Sequence, residues 1–340
     1  KEYDIVVTNP PYFKNSSMSI FLKKYVDKHY TLYKNDMFSA FIGRTIDLVK
    51  SDGYIGLMTP NVWLFISSFE KMRNTIINNL NVTSMIQLAK GSFFKEATVD
   101  ICSFILNKNN VEKSGVYYRL EKYKGDMDAQ KKAFLNELNN KENQYIVLQK
   151  EFKKIPGCQF AFWLDNFNIF RFTKISTKFE SGGRNKTHDN NKYVRKWWEI
   201  SNFLKWQNYA NGGEFRKWYG NNLDLVDWSD SAKKNYAIHG GLYNQKYANR
   251  TGICWNLITS AINGFRIKIE KEHYSSGSPT IFFKKDDYNL YVLGFLNTKV
   301  SQYLINIVNP TLNTTVNDIL NLPLEFKKDN YIESIVKENI

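Results

Sequence analysis

Cysteine and histidine are scarce in this sequence. Its three cysteines, Cys102, Cys158 and Cys254, lie far apart and form no Cys-x-x-Cys pair, which argues against both a disulfide framework and a zinc site. The four histidines are equally scattered. We therefore predict a protein of the reducing cytoplasm that binds no metal ion.

Long apolar segments are missing as well. No stretch approaches the roughly 18 uncharged apolar residues that a transmembrane helix needs. The N-terminus lacks the basic region, the apolar run and the cleavage site of a signal peptide. The sequence therefore predicts neither a membrane span nor an export signal.

Several catalytic motifs are also absent. We find no Ser-His-Asp arrangement and no phosphate-binding loop. Restriction nucleases often need Pro-Asp followed by Glu-x-Lys; the second element occurs at Glu151–Lys153 and Glu325–Lys327, but no proline precedes an aspartate. These absences disfavour a serine hydrolase, a nucleotide hydrolase and a metal-dependent nuclease.

Positive charge is abundant. The 340 residues carry a formal net charge of +14, and 43% of them are hydrophobic. The length and the hydrophobic fraction are sufficient for one large domain or two domains of ordinary size, each with a hydrophobic core. A globular protein this basic is expected to meet a polyanion, and nucleic acid is the first candidate. A basic surface without such a partner is the simpler alternative.

The first part of the chain alternates between strand and helix patterns. A short β-branched run, Tyr3–Thr8, predicts a buried strand that Asn9-Pro10-Pro11 must end, because proline cannot donate to a ladder. A helix is predicted from Asp36, and another opens with Ser67 as N-cap and Glu70 in a capping box. Further strands are predicted at Tyr54–Thr59, Val82–Leu88 and Ile101–Leu106. This order predicts an α/β fold with a parallel sheet, whose last two strands could form an antiparallel edge pair.

The pattern changes after residue 110. Val116–Leu120 predicts another strand, and Asp126–Lys141 predicts a charged helix. Beyond residue 150 the chain is aromatic and irregular. We therefore divide it into a first domain at 1–110, a linker or helical insertion at 111–150, and a second domain at 151–340.

The tetrapeptide Asn9-Pro10-Pro11-Tyr12 follows the first predicted strand. The carboxyl end of such a strand is where open α/β sheets bind ligands. The Asn9 side chain and the proline carbonyl groups are acceptors that can hold both hydrogens of one amino group, which directs the nitrogen lone pair. Tyr12 offers a ring against which a base can stack. This combination suits methylation of an exocyclic amine by positioning and electrostatics, on a base that has flipped out of its duplex. A rigid turn with a packed tyrosine is the structural alternative.

The segment DIVVTNPPY resembles motif IV of the amino-group DNA methyltransferases of the adenine-N6 class, which use S-adenosylmethionine. The segments at 53–64 and 91–106 resemble the strands that follow in that family. The resemblance implies catalytic roles for Asn9, Pro10, Pro11 and Tyr12, and a cofactor contact from Asn9 and Pro10. It also implies that an aromatic residue stacks on the other face of the base; Phe94 matches best and Phe93 second, with a core phenylalanine as the alternative.

The resemblance extends into the C-terminal half. The segments at 212–222 and 309–324 resemble the large adenine methyltransferases of BREX-type phage-exclusion systems. It implies the C-terminal part of a Rossmann-like, S-adenosylmethionine-dependent catalytic domain at 1–110, followed at 151–340 by a mixed α+β target-recognition domain. The family's glycine-rich cofactor loop has no counterpart here, so we expect most of the cofactor pocket to be missing from this chain. The isolated chain is therefore not expected to be a complete enzyme.

Basic and aromatic residues interleave in three segments of the C-terminal half, at 195–199, 205–222 and 243–250. Lysine and arginine can meet phosphates, and arginine can also read guanine. We predict DNA contacts from Arg216 and Lys217 first, and from Lys205 and Arg184. The polar segment 184–192 could order on DNA or be an ordinary loop. For Trp197, Trp206 and Trp218, burial in a core is the favoured interpretation, and for Tyr219 it is the alternative to a role in the interface.

These patterns predict an adenine-N6 DNA methyltransferase that transfers a methyl group from S-adenosylmethionine to a flipped adenine. Double-stranded DNA would be its partner, together with other proteins of a phage-defence or restriction–modification system. Two alternatives stay open. One is methylation of RNA or of a protein glutamine, and the other is a DNA-recognition module without catalysis.

Overall fold

The structure is a computed structural model that describes residues 2–92, 99–109, 113–243, 245–259, 262–285 and 287–340. The chain divides into two compact units, residues 1–168 and 169–340. Among the described residues, no helix combines the length and the apolar character needed to cross a membrane.

The first unit alternates between strands and helices. In chain order its elements are β1 (Tyr3–Thr8), α1 (Ile20–His29), α2 (Met37–Leu48), β2 (Val49–Pro60), α3 (Glu70–Asn79), β3 (Asn81–Gln87), β4 (Ile101–Asn107), β5 (Ser114–Arg119), α4 (Met127–Asn140) and β6 (Gln144–Leu148).

The six strands form one mixed sheet in the order β1-β2-β4-β3-β5-β6. The pairs β1–β2 and β3–β5 are parallel, whereas β4 runs antiparallel to both of its neighbours. The α/β class is therefore confirmed, as is the antiparallel pairing of β3 with β4. Their predicted position at an edge is wrong, because β4 inserts between β2 and β3 and buries Phe104 and Leu106 inside the sheet.

Strand β1 lies at one edge of this sheet. It pairs with β2 through Ile5 to Thr8, but 65% of Ile5 and 75% of Val7 are exposed. The prediction of a buried strand is therefore wrong for this unit. A run of β-branched residues indicates extended backbone, but it does not show how many neighbours cover the strand.

The helices begin at different kinds of cap. The Asp36 side chain accepts a hydrogen bond from Phe38 N and caps α2, and Ser39 completes a capping box. The capping box predicted at Ser67 is wrong, because a 3₁₀ turn occupies Ser67–Phe69 and α3 begins without a side-chain cap. The predicted inner face of α3 is confirmed, with Phe69, Met72, Ile76 and Leu80 all buried.

Residues 113–150 contribute directly to the sheet. Strand β5 pairs with β3, and β6 closes the other edge against β5. The predicted strand and helix in this segment are both present. The division at 110 and 150 remains a prediction, although the segment that it treats as a linker or insertion supplies two strands.

The second unit contains shorter elements. They are β7 (Phe179–Glu180), α5 (Asn190–Tyr193), β8 (Val194–Lys196), β9 (Trp206–Ala210), β10 (Asp224–Asp227), α6 (Asp230–Ile238), β11 (Gly252–Trp255), β12 (Phe265–Lys268), β13 (Glu272–Tyr274), β14 (Thr280–Phe283), α7 (Asn289–Leu296), α8 (Lys299–Val308), α9 (Val316–Leu320) and α10 (Asn330–Asn339).

These strands form two sheets, in the orders β13-β9-β10-β8 and β12-β11-β14-β7. Buried tyrosines, including Tyr209 and Tyr236, fill the core beside the first sheet. Strands β9 and β13 are parallel neighbours, with Ala210 opposite Tyr274. The chain segments that follow these two strands therefore emerge side by side at the same edge of the sheet.

Candidate active site and nucleic-acid interface

The loop Asn9–Tyr12 follows the carboxyl end of β1. Asn9 and Pro11 are exposed, Pro10 is buried and Tyr12 is half-buried. The parallel partner β2 also ends here, because Thr8 pairs with Leu57 and β2 continues to Pro60. Within the described residues, neither proline carbonyl oxygen accepts a hydrogen bond. The loop therefore presents acceptors at the sheet edge where the sequence predicted them.

The Tyr12 side chain crosses from the loop to the end of β2. Its hydroxyl lies 2.5 Å from the Asn9 side-chain oxygen and 3.1 Å from the Met58 carbonyl oxygen. A phenol has one hydrogen to donate, and the shorter contact with Asn9 uses it best. The Tyr12 ring meets Phe38 edge to face, with the ring centroids 6.4 Å apart. The Tyr12 hydroxyl therefore orients the Asn9 side chain, while Phe38 packs against the Tyr12 ring.

The Tyr12 hydroxyl keeps its hydrogen at neutral pH. Burial raises the pKa of Tyr12 to about 12, with a smaller contribution from the Cys102 thiol. At neutral pH the phenol is therefore a hydrogen-bond donor and not a base. The chemistry available to this loop is positioning by neutral donors and acceptors.

Asp36 fixes the chain directly after Tyr12. Its carboxylate accepts a hydrogen bond from Phe13 N at 3.1 Å, in addition to capping α2. Met37 N donates to the Phe13 carbonyl oxygen at 2.9 Å, so Phe13 is held on both sides. Burial raises the pKa of Asp36, although the hydrogen bonds from Phe38, Phe13 and Met37 oppose this shift. Sequence reasoning missed this contact, for which the N-cap position of Asp36 was the available signal.

Phe94 and Phe93, the predicted second stacking residues, lie outside the described residues. Neighbouring described residues show where their segment leaves the sheet. Gln87 ends β3, and Ile101 begins β4 opposite Pro60. The two ends of this segment therefore belong to the paired strands β3 and β4, of which β4 lies beside β2. The stacking role of Phe94 stays a prediction.

The four basic residues predicted to meet DNA differ in their surroundings. Lys205 forms a 2.6 Å ion pair with Asp227, and Lys217 Nζ donates to the Asn297 carbonyl oxygen at 3.3 Å. Arg184 is exposed, with its guanidinium 5.9 Å from the centre of the Tyr243 ring. Arg216 is also exposed and makes a loose 3.5 Å contact with Glu214. Intrachain contacts thus occupy both lysines, whereas both arginines face solvent.

The aromatic residues of these segments are more exposed than predicted. Trp197 is 52% exposed and Tyr219 is 47% exposed, while Trp206 and Trp218 are half-buried. Burial in a core is therefore wrong for Trp197, and Trp206 and Trp218 are only partly buried. Tryptophan is usually buried in globular proteins, but these four residues lie in a short 3₁₀ helix, a short strand and a loop of the second unit.

Comparisons with known proteins agree with this architecture. Residues 1–94 match the family model described as the Eco57I restriction-modification methylase. The adenine-specific methyltransferase PglX of Lacticaseibacillus casei (strain Zhang) is 30% identical over 95% of this chain. The adenine-specific methyltransferase BrxX of Escherichia coli O9:H4 (strain HS) is 27% identical over 100% of it. This chain is homologous to part of these methyltransferases. The resemblance predicted from the sequence is thereby confirmed.

The chain spans 29% of the length of each of these two relatives. Solved structures extend the similarity to the fold of nearly the whole chain. The restriction–modification enzyme MmeI, solved with DNA, matches 98% of this chain with a TM-score of 0.65 and 10% identity, over 48% of its own length. The enzyme LlaGI, solved with a DNA substrate mimic, matches 98% of this chain with a TM-score of 0.59 and 11% identity, over 34% of its own length.

Proposed function

We propose that this chain is part of an adenine-N6 DNA methyltransferase of a phage-defence or restriction–modification system. The observation that carries the proposal is the loop Asn9–Tyr12 at a strand's carboxyl end, with the Tyr12 hydroxyl fixing the Asn9 side chain. The relatives named above are adenine-specific methyltransferases. The whole protein would transfer a methyl group to an adenine that has flipped out of its duplex.

Asn9 and Pro10 would hold the amino group of that adenine. An amide oxygen has two lone pairs, so Asn9 can accept from Tyr12 and from one amino hydrogen together. The carbonyl oxygen of Pro10 would accept the other hydrogen. With both hydrogens fixed, the nitrogen lone pair points away from them toward the methyl donor, and the adenine needs no strong base. Pro11 would contribute by keeping the loop rigid.

Tyr12 would stack on one face of the flipped base, and Phe94 would cover the other. The Tyr12 ring is suited to this role because it is half-buried and Phe38 holds it edge to face. Stacking on an aromatic side chain contributes about 1–3 kcal/mol per base. The ring would therefore offset part of the cost of removing the base from its duplex.

S-adenosylmethionine would be the cofactor, and it would supply an electrophilic methyl group. This chain has hydrogen-bond acceptors that suit such a cofactor. The exposed Asn9 amide and the free Pro10 carbonyl are acceptors, which suit the positive charge beside the transferable methyl. We assign no other cofactor contact to this chain.

DNA would meet the second unit through Arg184 and Arg216. Both guanidinium groups face solvent, whereas Lys205 and Lys217 would first have to leave Asp227 and the Asn297 carbonyl. The net charge of +14 supports a polyanionic partner. In a defence system, methylation would mark host DNA, and other proteins of that system would be further partners.

The test is transfer of labelled methyl from S-adenosylmethionine to duplex DNA. It compares the intact protein that carries this chain with its Asn9→Ala variant. We expect labelled N6-methyladenine with the first and a loss of most transfer with the second, while DNA binding stays within about twofold. Transfer to RNA or to protein glutamine in place of DNA, or DNA binding without any transfer, would contradict the proposal.

A further inference from the structure

Three loops of the second unit meet at one edge of the β13-β9-β10-β8 sheet. The loop 211–213 follows β9, and the loop 275–277 follows β13. Ser275 N donates to the Ala210 carbonyl oxygen at 3.0 Å, which joins the two loops at their bases. Asn185 N donates to the Tyr274 carbonyl oxygen at 2.7 Å and brings in the segment 184–191. We call the segments 184–191, 211–213 and 275–277 together the loop cluster.

The loop cluster encloses a polar cavity of about 600 Å³. Its walls carry amide, hydroxyl and ammonium groups, among them Lys186, Asn211 and Ser276, together with the His188 ring and the Asp189 carboxylate. Pockets for small organic ligands are mostly lined by apolar side chains. The cavity is therefore better suited to the polar edge of a base and its phosphate than to an apolar ligand.

Some side chains of this cavity have structural partners and others do not. Thr187 donates to the Asn190 side chain at 2.5 Å, and the Asn185 side-chain oxygen accepts from Tyr243 N at 3.2 Å. Within the described residues, by contrast, the Lys186 ammonium, the Asn211 amide and the Ser276 hydroxyl form no hydrogen bond or ion pair. These three groups are partly exposed and are therefore available to a partner outside the chain.

Glycines lie where two loops of the loop cluster face each other. Gly212 has a φ of +88°, and a side chain there would come within 3.2 Å of the Gly277 carbonyl oxygen. Two glycines facing each other thus let the loops 211–213 and 275–277 pack closely against one another. Asn211, directly before Gly212, lines the cavity.

The charge of the segment 184–191 favours an anion. Arg184 and Lys186 are its two strong cations. Its single carboxylate, Asp189, accepts from Lys192 N at 3.0 Å and so serves as the N-cap of α5. In the cavity itself, Lys186 is the strong cation of the lining, and the Asp189 carboxylate there already accepts a hydrogen bond from Lys192 N.

We infer that the loop cluster reads the DNA target sequence, with Asn211 contacting a base edge and Lys186 a neighbouring phosphate. The inference rests on the proposed function and adds the residues that determine specificity. An asparagine amide can pair with adenine through both a donor and an acceptor, whereas a lysine on phosphate carries no sequence information. Replacing Asn211 should therefore change which sequence is methylated, whereas replacing Lys186 should weaken binding to DNA of any sequence.

The test maps methylated adenines in plasmid DNA after expression of the intact protein and its variants. Asn211→Ala and Asn211→Asp should relax or change one base of the methylated sequence, with about 5- to 150-fold less discrimination at that position. Lys186→Ala should keep the sequence but weaken binding to every duplex and lower the salt slope of binding by about 1. Asn330→Ala and Lys234→Ala, at exposed positions of α10 and α6, are the matched controls.

The outcomes separate the inference from the proposed function. If the wild-type protein methylates no DNA, the proposed function fails and the inference falls with it. If the wild type methylates a defined sequence and both Asn211 variants methylate the same sequence with unchanged discrimination, the inference alone is overturned. If the Lys186→Ala protein is folded and the salt slope of its DNA binding is unchanged, Lys186 does not contact a phosphate.

Discussion

The Tyr12 hydroxyl donates a hydrogen bond to the Asn9 side-chain oxygen over 2.5 Å. The two residues lie three positions apart, across two prolines that restrict the backbone between them. The contact turns a flexible amide into an acceptor with a fixed direction. In the proposed reaction, Tyr12 therefore has two separate tasks, which are stacking through its ring and orienting Asn9 through its hydroxyl.

Replacing Tyr12 should separate these two tasks. Tyr12→Phe removes one hydrogen bond, worth about 0.5–1.5 kcal/mol, so we expect kcat/KM for methyl transfer to fall by about two- to tenfold. Tyr12→Ala also removes a stacking surface worth about 1–3 kcal/mol, and we expect a further loss of about 5- to 150-fold. Steady-state kinetics on one duplex substrate would measure both. Equal losses in the two variants would show that the ring does not stack on the base.

Asp36 is expected to act on catalysis through Phe13. Asp36→Ala removes the acceptor for Phe13 N and the cap of α2, so we expect kcat to fall on the order of tenfold while KM for DNA stays nearly constant. Asp36→Asn keeps an acceptor oxygen and should restore most of the rate. Asp126→Ala is the control, because Asp126 caps α4 through Ala129 N and does not contact the loop.

The Asp36 variants also need a measurement of stability. Loss of an N-cap costs about 1 kcal/mol in both Asp36→Ala and Asp126→Ala, and Asp36→Ala should lose somewhat more because Phe13 N also loses its acceptor. Only the first should lower kcat. If both variants lost activity in proportion to stability, Asp36 would be a helix cap and nothing more.

The candidate catalytic loop could be predicted from the sequence because its information is local. Four consecutive residues define the turn, the acceptors and the stacking ring, and the structure places them after a strand. The contact between Asp36 and Phe13 could not be predicted in the same way. It joins positions 23 residues apart, and the sequence shows only that Asp36 suits a helix N-terminus.

Strand order and exposure depend on non-local contacts too. The patterns at β3 and β4 predicted an antiparallel pair, but nothing in them indicated that β4 inserts next to β2. The same limit applies to β1, whose apolar residues gave no sign of an edge position. Ser67 and Glu70 satisfied the spacing of a capping box, yet the chain turns through a 3₁₀ segment before α3 begins.

The second unit shows the limits of residue preferences. Trp197 would be buried in most proteins, but more than half of it is exposed. Conversely, the loop cluster could not be located from sequence, because it depends on the parallel pairing of β9 with β13 across more than 60 residues. The polar composition of the segment 184–192 was the available signal.

Arg216 should contribute to the salt dependence of DNA binding. Its guanidinium is exposed and only loosely paired with Glu214, so it can reach a phosphate without breaking a strong contact. Arg216→Ala should lower the slope of log K against log salt concentration by about 1, because one fewer counterion is released. Arg216→Lys keeps the charge and should keep most of the slope. An unchanged slope in Arg216→Ala would leave this residue without a role in DNA binding.

His273 should make the stability of the chain sensitive to acid. Its Nε2 lies 2.6 Å from the Gln207 side-chain oxygen, which requires a hydrogen on Nε2, and its Nδ1 lies 3.4 Å from the Asn185 amide nitrogen, which requires a lone pair on Nδ1. The ring also stacks on Trp228, with centroids 3.7 Å apart. These contacts need the neutral imidazole. Burial, with help from the charge of Lys268, lowers the pKa of His273 to about 4.

The sign of the pH effect follows from this lowered pKa. Above about pH 6.5 the histidine is neutral in both the folded and the unfolded chain, and its contribution to stability is complete. As the pH falls from about 6.5 to 4, the unfolded chain binds a proton that the folded chain does not, and about 3 kcal/mol of stability is lost.

Urea unfolding of the full chain at pH 7 and pH 4 should show this loss in the wild type and in His239→Gln, whose histidine is exposed. His273→Gln should be less stable at pH 7 but should lose about 3 kcal/mol less on acidification. An equal loss in all three proteins would mean that His273 binds a proton in the folded chain as readily as in the unfolded one, so its contacts with Gln207 and Asn185 would not require the neutral ring.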